Sequence, residues 1–592
     1  MKPVQPTPEN SKQFGSDPIA SLLRELGYPY IALTPGASFR GLHDSLVNFL
    51  GNTRPELLLC IHEECAVALA HGWTRVTGKP LPVALHSNVG LMHATMSIFN
   101  AWCDRIPMVL IGAQGPLDAM SRRPWVDWIH TSTDLGALIR GYTKWDNQPG
   151  SVPAALEAIV RANQIATTAP AGPTYVCLDA ALQEELLDAP VELPPLARYA
   201  APAPADPSED ALRQAASLLA SARRPLLMIG RVSATRACWD QRVALAEKLG
   251  AHVLTDIKTA ASFPTDHPLQ PFPPTLYVTP EAGGLIRDAD VILCLDWVDP
   301  AGTMRQACQG AMPGAKIIQC SLDQYSHNGW SMDYQALPPA DVNMLASPDR
   351  LVECLLRELG SAPSKTPVSV VAAPSDPGPD MIEGRISVEA MARTVTDTLA
   401  QENPSYIRLP LGWPGSCCRF KDPLDYIGFD GGGGIGSGPG MAVGAALALR
   451  DMNSDRLPVA VLGDGDYLMG LTALWTAVHY RVPLLVLVAN NKSFFNDELH
   501  QERVARMRGR PVENRSIGLR MDDPPLDLAK LAEGQGAVGH GPAATPDSLS
   551  AMIRQAVADV RAGKVAVIDV SVAPEYARAT SNAMLRQSSP GS

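Results

Sequence analysis

The sequence predicts an α/β protein made of three doubly wound parallel-sheet domains in series. Short apolar runs bounded by Gly, Pro or Asp alternate along the chain with longer segments of helical period, a pattern typical of parallel sheets that carry helices on both faces. The chain has 592 residues, which is too many for a single hydrophobic core. Two stretches rich in Pro, Ala and Ser divide it into blocks of ordinary domain size.

The two dividing stretches lie at 189–210 and 361–380. Their composition does not form a core and is typical of exposed linkers. The residues at the C-terminal end are polar, which favours a frayed tail over a closing lid. The predicted segments are a first domain over 1–188, a middle domain over 189–360, a linker over 361–380, a third domain over 381–575 and a C-terminal tail over 576–592.

Each domain contains several apolar runs that we predict to be strands. They are rich in β-forming residues and are short enough to be strands of a buried sheet. The runs are LPVALHS, PMVLIGA and PTYVCLD in the first domain, RPLLMIG, AHVLTD, DVILCLD and AKIIQCSLD in the middle domain, and LPVAVLGDG, PLLVLVANN and VAVIDVSV in the third.

The composition indicates a globular enzyme of small molecules. The formal net charge is −12 and no Lys/Arg-rich run is present, which argues against binding to nucleic acid. The N-terminus is polar and rich in Pro, where a signal peptide would be apolar, and no run approaches the ~20 apolar residues of a membrane span. The 11 cysteines include no Cys-x-x-Cys pair, which fits reduced thiols. We therefore expect a cytoplasmic protein.

Two apolar runs of the third domain end at polar residues. One stops at Gly-Asp-Gly, which contains Asp464, and the next stops at Asn-Asn, which contains Asn491. Parallel strands that leave the same edge of a sheet would bring these residues together where ligands of α/β sheets bind. The carboxylate of Asp464, the amide oxygen of Asn491 and the backbone carbonyl of Ser493 are ligands that Mg²⁺ prefers beside phosphate oxygens. A metal-bridged diphosphate is the predicted occupant.

The residues around these turns are expected to contact the same ligand. Gly463 and Gly465 let the backbone approach a phosphate, and the helix that follows would direct its positive N-terminus at it. Asp466 and Asn490 belong to the same two turns and are included among the binding residues. Either piece alone is an ordinary turn or strand end, so the prediction depends on the pair.

Gly-Asp-Gly followed at this spacing by Asn-Asn resembles the thiamine-diphosphate-binding motif of thiamine-dependent enzymes. The resemblance implies a Mg²⁺ ion at Asp464 and Asn491 that clamps the diphosphate of the cofactor, and it makes the third domain the diphosphate-binding domain. In this family an apolar residue of a Gly-rich segment wedges between the two rings of the cofactor and imposes a V shape. Ile435 in FDGGGGIGSGPG matches that wedge, and the Gly433 carbonyl would accept from the aminopyrimidine.

The first domain supplies a candidate activating acid in IHEECAVALAHGWTRVTGKP. Thiamine needs one acid at its pyrimidine, and a carboxyl whose pKa is raised by burial suits this task. The segment is similar to the family's His-Glu-x-x-Ala motif, which implies that Glu63 is the acid and Glu64 its solvent-facing neighbour; without the motif, Glu63 would be a favourable charge at a helix start. In the family this Glu reaches a cofactor held by the other subunit, which implies a homodimer or homotetramer and a pyrimidine-binding first domain. The matching positions are His62, Glu63, Ala66, Gly72, Trp73, Arg75 and Gly78.

Further segments resemble the branch of acetolactate synthase and the 2-oxo acid decarboxylases, especially benzoylformate decarboxylase. In LHSNVGLMHATMSIFNAWCDRIPMVLIGAQ, His86 matches an active-site histidine of that enzyme, and a neutral imidazole there would move protons near pH 7. Ile129 and His130 align where pyruvate decarboxylase has two histidines and benzoylformate decarboxylase two leucines. A lone histidine at a strand end is otherwise a structural residue.

Residues beyond Asn-Asn are expected to shape the substrate pocket. Asp497 falls where pyruvate decarboxylase has an active-site Glu, so Asp497 or Glu498 would protonate the product, and Phe494 and Phe495 would line the pocket. Ala37 stands where benzoylformate decarboxylase has Ser, pyruvate decarboxylase Asp and benzaldehyde lyase Ala. The loss of a polar group at this position weakens the case for binding a substrate carboxylate.

The resemblance leaves three functions open. The leading one is a 2-oxo acid decarboxylase that also ligates its product to a second carbonyl compound. The second is a lyase of 2-hydroxy ketones or 2-hydroxyacyl compounds that releases no CO₂, which Ala37 favours. The third is a non-catalytic homologue that binds the cofactor. The middle domain has no decisive motif, so FAD, an ADP-type ligand or no ligand remain possible there.

Overall fold

The computed structural model confirms the predicted fold class. Three main sheets are present, and their paired strands run parallel. No helix among the described residues is both long and apolar enough to cross a membrane. The predicted tail beyond Tyr576 and part of the predicted linker lie outside the described residues. The structure describes residues 12–322, 337–360, 364–370 and 378–576.

The first sheet has the strand order β2-β1-β3-β4-β6-β5. Glu63 follows β2 and His86 ends β3, so both lie at the edge formed by the carboxyl ends of the strands. The strands are β1 (Tyr30–Leu33), β2 (Glu56–Leu59), β3 (Val83–His86), β4 (Met108–Gln114), β5 (Trp145–Asn147) and β6 (Pro173–Asp179). The helices are α1 (Ser16–Glu25), α2 (Arg40–Asp44), α3 (Glu63–Thr77), α4 (Ser87–Cys103), α5 (Val126–Ile129), α6 (Val152–Thr167) and α7 (Ala180–Glu184).

The second sheet has the order β11-β10-β9-β7-β8, with its topological switch between β7 and β9. Asp296, directly after β9, is buried at this point and forms an ion pair with Arg105 of the first domain. The strands are β7 (Pro225–Ile229), β8 (His252–Leu254), β9 (Val291–Leu295), β10 (Lys316–Ser321) and β11 (Val342–Leu345). The helices are α8 (Glu209–Ser221), α9 (Arg236–Leu249), α10 (Ala282–Asp288), α11 (Pro300–Ala307) and α12 (Pro348–Leu359).

The third sheet has the order β14-β15-β16-β18-β17 and follows a small antiparallel hairpin, β12-β13. The strands are β12 (Met381–Ile382), β13 (Arg385–Ile386), β14 (Pro404–Arg408), β15 (Leu457–Gly463), β16 (Leu484–Asn490), β17 (Val538–Ala543) and β18 (Val565–Ser571). The helices are α13 (Val388–Thr398), α14 (Gly438–Asp451), α15 (Asp464–Met469), α16 (Ala473–His479), α17 (Phe495–Met507), α18 (Leu528–Gly534) and α19 (Pro546–Arg561).

Helices α3 and α14 join the first and third domains within one hydrophobic core. Their backbones approach closely because two glycines lie at the contact. A Cβ at Gly444 would lie 1.8 Å from the carbonyl oxygen of Leu69, and one at Gly72 would lie 2.0 Å from that of Met441. This packing sets the start of α3, where Glu63 lies, beside the Gly-rich loop that precedes α14.

Candidate active site

The register of β15 and β16 places Asp464 beside the Asn-Asn turn. Gly463 pairs with Ala489, so both strands end at the same level of the sheet. Lys492 has a left-handed backbone, φ 62°, and its N–H donates to Asp464 Oδ2 at 2.6 Å. The amide oxygen of Asn491 accepts from the Ser493 N–H at 2.8 Å. Burial raises the pKa of Asp464 to about 6, against the backbone donors that lower it.

A cavity of about 400 Å³ opens at this edge of the third sheet. Trp413, Phe429 and Tyr576 give it a largely apolar wall beside these polar groups. The sequence-predicted residues that line it are Gly433, Ile435, Gly463, Asp464, Gly465, Asp466, Asn491, Ser493, Phe494, Phe495 and Asp497.

The residues at the polar end of the cavity fit a metal-bound diphosphate. A Cβ added at Gly463 or at Gly433 would meet no atom within 4 Å, so the backbone there is open to a ligand. Gly465 is needed for another reason, because its Cβ would lie 2.9 Å from the ring of Phe494. The buried carboxylate of Asp464 and the neighbouring amide and carbonyl oxygens are the ligand set that Mg²⁺ takes together with phosphate.

Two residues expected to bind the ligand have side chains that form hydrogen bonds within the protein. Asp466 Oδ1 accepts from the N–H groups of Gly436 at 2.7 Å and Gly438 at 3.2 Å. The Asn490 amide donates to Asp569 Oδ1 at 2.9 Å and does not line the large cavity. Asp466 therefore fixes the Gly-rich loop, and Asn490 links the end of β16 to Asp569 of β18.

Glu498 does not line the cavity of the described chain, contrary to expectation. Its carboxylate is fully buried and accepts from Ser493 Oγ at 2.5 Å and Arg520 Nε at 2.9 Å. Burial favours a higher pKa for Glu498, but these hydrogen bonds lower its pKa overall. Consecutive residues of a helix point about 100° apart, so Asp497 faces the cavity while Glu498 faces the protein interior.

The candidate histidines of the first domain meet at the edge of its sheet. The rings of His86 and His130 lie 4.9 Å apart and nearly perpendicular. Ser38 Oγ lies 2.8 Å from His86 Nδ1. Burial, with a smaller effect from His130, lowers the pKa of His86. Ser38 was missed from the sequence, although it directly follows Ala37.

Two further predicted pocket residues border this histidine pair. Ala37 is exposed and begins a short 3-10 helix. Ile129 is partly exposed, and its carbonyl accepts from the Asn88 amide at 3.1 Å. Both residues thus lie on the surface of the first domain around His86 and His130.

Glu63 is buried at the N-terminus of α3 and pairs with a histidine of α4. Its Oε2 lies 3.1 Å from His93 Nδ1, and Gly90 leaves room for it, since a Cβ there would lie 3.2 Å from Oε1. His62 stacks on His93 with centroids 5.1 Å apart. His93 was missed, but its spacing of three residues from Gly90 puts both on one face of α4.

Glu64 is not the solvent-facing neighbour that the motif implied. It is partly buried, and its Oε1 lies 3.4 Å from the Cβ position of Gly436 in the Gly-rich loop. Burial, with smaller effects from Asp466 and Asp430, raises the pKa of Glu64. Glu63 therefore contacts a histidine of α4, whereas Glu64 lies beside the Gly-rich loop.

The Gly-rich loop is clamped by the first domain of the same chain. Arg75 donates to the carbonyls of Ile427 at 2.6 Å and Phe429 at 2.7 Å. Asp104, ion-paired with Arg75 at 2.5 Å, accepts from the Gly431 N–H at 2.9 Å. Arg75, which belongs to the predicted motif, therefore holds the Gly-rich loop against the first domain.

The predicted site residues thus form two groups in one chain. In the part of the chain that the structure describes, the cavity of the third domain is not lined by the first-domain candidates. Those candidates are Glu63, His86, His130, Ala37 and Ile129.

Comparison with known proteins defines the class of this chain. Models of the thiamine pyrophosphate enzymes match all three domains: the N-terminal TPP binding domain at residues 14–137, the central domain at 212–340 and the C-terminal TPP binding domain at 411–570. The chain therefore belongs to the thiamine pyrophosphate enzyme family. The prediction of that family is confirmed.

Several relatives are similar along most of the chain. The chain is 24% identical to the acetolactate synthase large subunit of Haemophilus influenzae, over 95% of each chain. It is 26% identical to benzoylformate decarboxylase of Pseudomonas aeruginosa, over 87% of this chain and 92% of the relative. The crystal structure of benzoylformate decarboxylase from Polynucleobacter necessarius has a TM-score of 0.76 at 20% identity and covers 95% of this chain and 99% of its own. The protein is a thiamine-diphosphate-dependent enzyme that is similar to acetolactate synthase and benzoylformate decarboxylase.

Proposed function

We propose that the protein uses thiamine diphosphate and Mg²⁺ to cleave and form C–C bonds next to a carbonyl group. Its principal reaction is decarboxylation of a 2-oxo acid, with ligation of the product to a second carbonyl compound. The observation that carries this proposal is the cavity at the edge of the third sheet, where Asp464 and Asn491 lie beside open glycine backbone. Relatives named acetolactate synthase and benzoylformate decarboxylase support the reaction class.

The third domain holds the cofactor in this proposal. Asp464, the Asn491 amide and the Ser493 carbonyl bind Mg²⁺, and the backbone at Gly463 and Gly465 accommodates the diphosphate. Ile435 and the Gly433 carbonyl orient the rings. When bound, thiamine diphosphate supplies a nucleophilic carbon that adds to the substrate carbonyl.

The first domain and α17 supply the proton-transfer groups. Glu63 holds at its carboxyl group the proton that activates the pyrimidine ring. His86, kept neutral by burial, takes up or gives a proton at the substrate. His130 beside it, and Asp497 on the cavity wall, hold further protons, while Ile129 and Phe494 with its neighbour Phe495 enclose the substrate.

The site is complete only in a homo-oligomer, a dimer or a tetramer. Glu63 lies outside the cavity of its own chain, and the helix face near it carries exposed apolar side chains at Val89, 38% exposed, and Met92, 55% exposed. A second copy of the chain would cover such a patch and bring its own cavity to Glu63. We expect the assembly to act on small molecules in the cytoplasm.

Ala37 favours a second candidate function, a lyase of 2-hydroxy ketones or 2-hydroxyacyl compounds that releases no CO₂. Its methyl group cannot donate a hydrogen bond to a substrate carboxylate, and its exposed position leaves room for a bulky, uncharged substrate. The histidine pair and the cavity serve either reaction.

Two measurements test the proposal. Titration of the purified protein with thiamine diphosphate in the presence of Mg²⁺ should show saturable binding. Intrinsic tryptophan fluorescence follows it, because Trp413, one of 10 tryptophans, lines the cavity. The loaded protein is then incubated separately with pyruvate, benzoylformate and benzoin. CO₂ from either acid supports the decarboxylase, cleavage of benzoin alone supports the lyase, and binding without turnover of a wider panel supports a non-catalytic homologue. Absence of cofactor binding would refute all three.

A further inference from the structure

A buried arginine at the cavity wall holds two carboxylates. Arg408 ends β14 and is 3% exposed. Its Nη1 lies 2.5 Å from Asp430 Oδ1, and its Nε lies 2.8 Å from Asp466 Oδ2. The guanidinium also lies over the ring of Phe429, 4.3 Å from its centroid. One cation thus neutralises two carboxylates that would otherwise be buried without a counter-charge.

Both carboxylates bind the segment that directly follows Ile435. Asp466 Oδ1 accepts from the N–H groups of Gly436 and Gly438, and Asp430 Oδ2 accepts from Ser437 Oγ at 2.8 Å. The residue on the C-terminal side of Ile435, and the two after it, are therefore fixed by acids that Arg408 holds.

The loop has little regular structure of its own to fix it. Residues 427–437 form neither helix nor strand. Gly433 and Gly436 have φ values of 69° and 107°, which side-chain-bearing residues rarely adopt. The position of Ile435 thus depends on side-chain contacts, since no ladder of backbone hydrogen bonds runs through this segment.

We propose that Arg408 is a positioning residue that sets the place of Ile435, acting through Asp430 and Asp466, and so determines the bend in which the cofactor is held. This inference rests on the proposed function. Arg408 is among the residues that line the cavity, but its Nη1 and Nε contact the two carboxylates that hold the loop. Amide exchange of the loop in the cofactor-free protein therefore tests this role apart from any direct contact between Arg408 and the cofactor. A Lys at this position keeps the charge but loses the planar fork that contacts both acids at once.

The chain offers a matched control for this arginine. Arg456 lies in the same domain and also holds two carboxylates, with 2.7 Å to Asp422 and 2.7 Å to Asp425. It is largely buried, at 11% exposure, and it does not line the cavity. Arg408→Lys and Arg456→Lys therefore disturb similar ion-pair sets, only one of which contacts the loop.

The first readout is amide hydrogen exchange of the cofactor-free protein in peptides that cover 431–441. We expect Arg408→Lys to speed exchange in these peptides by about tenfold or more, as local opening becomes easier, and Arg456→Lys to leave them unchanged. Equal exchange in the two variants would overturn the inference. If Arg408→Lys does not fold, Asp430→Asn weakens the same ion pair, and faster exchange of the same peptides is expected.

The second readout is hydrogen–deuterium exchange at C2 of bound thiamine diphosphate at saturating cofactor and Mg²⁺. A displacement of the wedge should slow this exchange by about 100-fold in Arg408→Lys, with little change in Arg456→Lys. Combined with Ile435→Ala, Arg408→Lys should add little further slowing, because both act on one contact. Full additivity would overturn the inference. Wild-type protein that binds no cofactor would instead refute the proposed function, while amide exchange would still show whether Arg408 holds the loop.

Discussion

The two groups of site residues differ in how much of a working site each one forms within a single chain. At the edge of the third sheet, the candidate metal and diphosphate residues line one cavity. At the edge of the first sheet, Glu63, His86 and His130 also gather, but outside that cavity. The same topological rule therefore assembles residues within each domain, while the proposed meeting of the two edges would need a second copy of the chain.

The two groups also differ in the partners of their carboxylates. In the third domain, Asp466 is neutralised by Arg408 and Glu498 by Arg520, so both carboxylates are fixed before any ligand binds. In the first domain, Glu63 contacts His93, whose side chain is 52% exposed. This difference fits the proposed division of the site between an anchoring region, formed by Asp464, Asn491 and Ser493, and a proton-transfer region, formed by Glu63, His86 and His130.

Asp464→Ala should have the largest effect, because it removes the buried carboxylate of the anchoring region. We expect Mg²⁺-dependent binding of thiamine diphosphate to weaken by more than the roughly 10–100-fold that loss of a group behind the metal ligands costs. Isothermal titration calorimetry at fixed Mg²⁺ measures this change. Asp569→Asn, behind the same turn, is the control and should stay within that range. An unchanged affinity in Asp464→Ala would contradict the metal assignment.

Glu63→Gln should separate the two regions, since it leaves the anchoring cavity intact. Cofactor affinity should change little, whereas C2 exchange and turnover should fall by about 10²–10⁴-fold, the usual contribution of a proton-transfer group. Glu64→Gln is the matched control, because the adjacent Glu64 contacts the loop of its own chain. Exchange as fast in Glu63→Gln as in wild type would show that another group carries the activating proton.

Mixing the two inactive variants tests whether the regions meet between subunits. In a dimer of one Glu63→Gln chain and one Asp464→Ala chain, one of the two sites keeps both groups. Random pairing makes about half of the dimers mixed, so about a quarter of the wild-type activity should return after co-expression or refolding together. Each variant refolded alone provides the baseline. No recovery in verified mixed dimers would show that both groups must come from one chain.

The anchoring region was largely predictable from the sequence. Two buried apolar runs stop at Asp464 and Asn491, which indicates that both residues lie at the same edge of the sheet. Apolar strand runs and the polar residues that end them can be recognised from short stretches of sequence. The histidine pair was accessible only through the resemblance, since 44 positions separate His86 from His130. Several strands were missed because they are short or lack an apolar run, such as Trp145–Asn147 and Val538–Ala543.

The supporting contacts were not predictable, because they depend on tertiary packing. Nothing in the local sequence of Arg408 indicates that it joins Asp430 and Asp466. Asp497 and Glu498 are adjacent acids, and the different directions of their side chains follow from where α17 starts and from Arg520. Patterns along the chain indicate which residues gather at a sheet edge, but not which way each side chain turns there.

His86→Ala should have an intermediate effect on the first-domain region. We expect kcat/KM to fall by about 100-fold, the low end for a proton-transfer group, because His130 remains beside the site. Burial lowers the pKa of His86, so in wild type the imidazole is neutral at pH 7 and activity should decline only below the ordinary histidine pKa of about 6.5. His86→Ala should lose this acid limb.

The lowered pKa of His86 also makes the free energy of unfolding depend on pH. Since the pKa of His86 is lower in the folded chain, the unfolded chain takes up a proton first as the pH falls. The contribution of His86 to the free energy of unfolding is therefore present above about pH 6.5 and is lost as the pH falls further towards the folded-state pKa. His540→Asn, in the third domain, is the control and should keep the wild-type pH dependence of kcat/KM. If His86→Ala also kept that pH dependence, a proton-transfer role of His86 would be excluded.

Ala37→Ser should have the smallest effect and should shift the choice between the two proposed reactions. A hydroxyl at this exposed position, next to the Ser38 that contacts His86, would donate one hydrogen bond to a substrate carboxylate. One such bond contributes about 0.5–1.5 kcal/mol, so the ratio of benzoylformate to benzoin turnover should rise by about 2- to 12-fold. Ala119→Ser is the matched control, because Ala119 is also exposed and also begins a 3-10 helix in the first domain. A ratio that moves equally in both variants would show that Ala37 does not face the substrate, and it would remove the observation that favours the lyase.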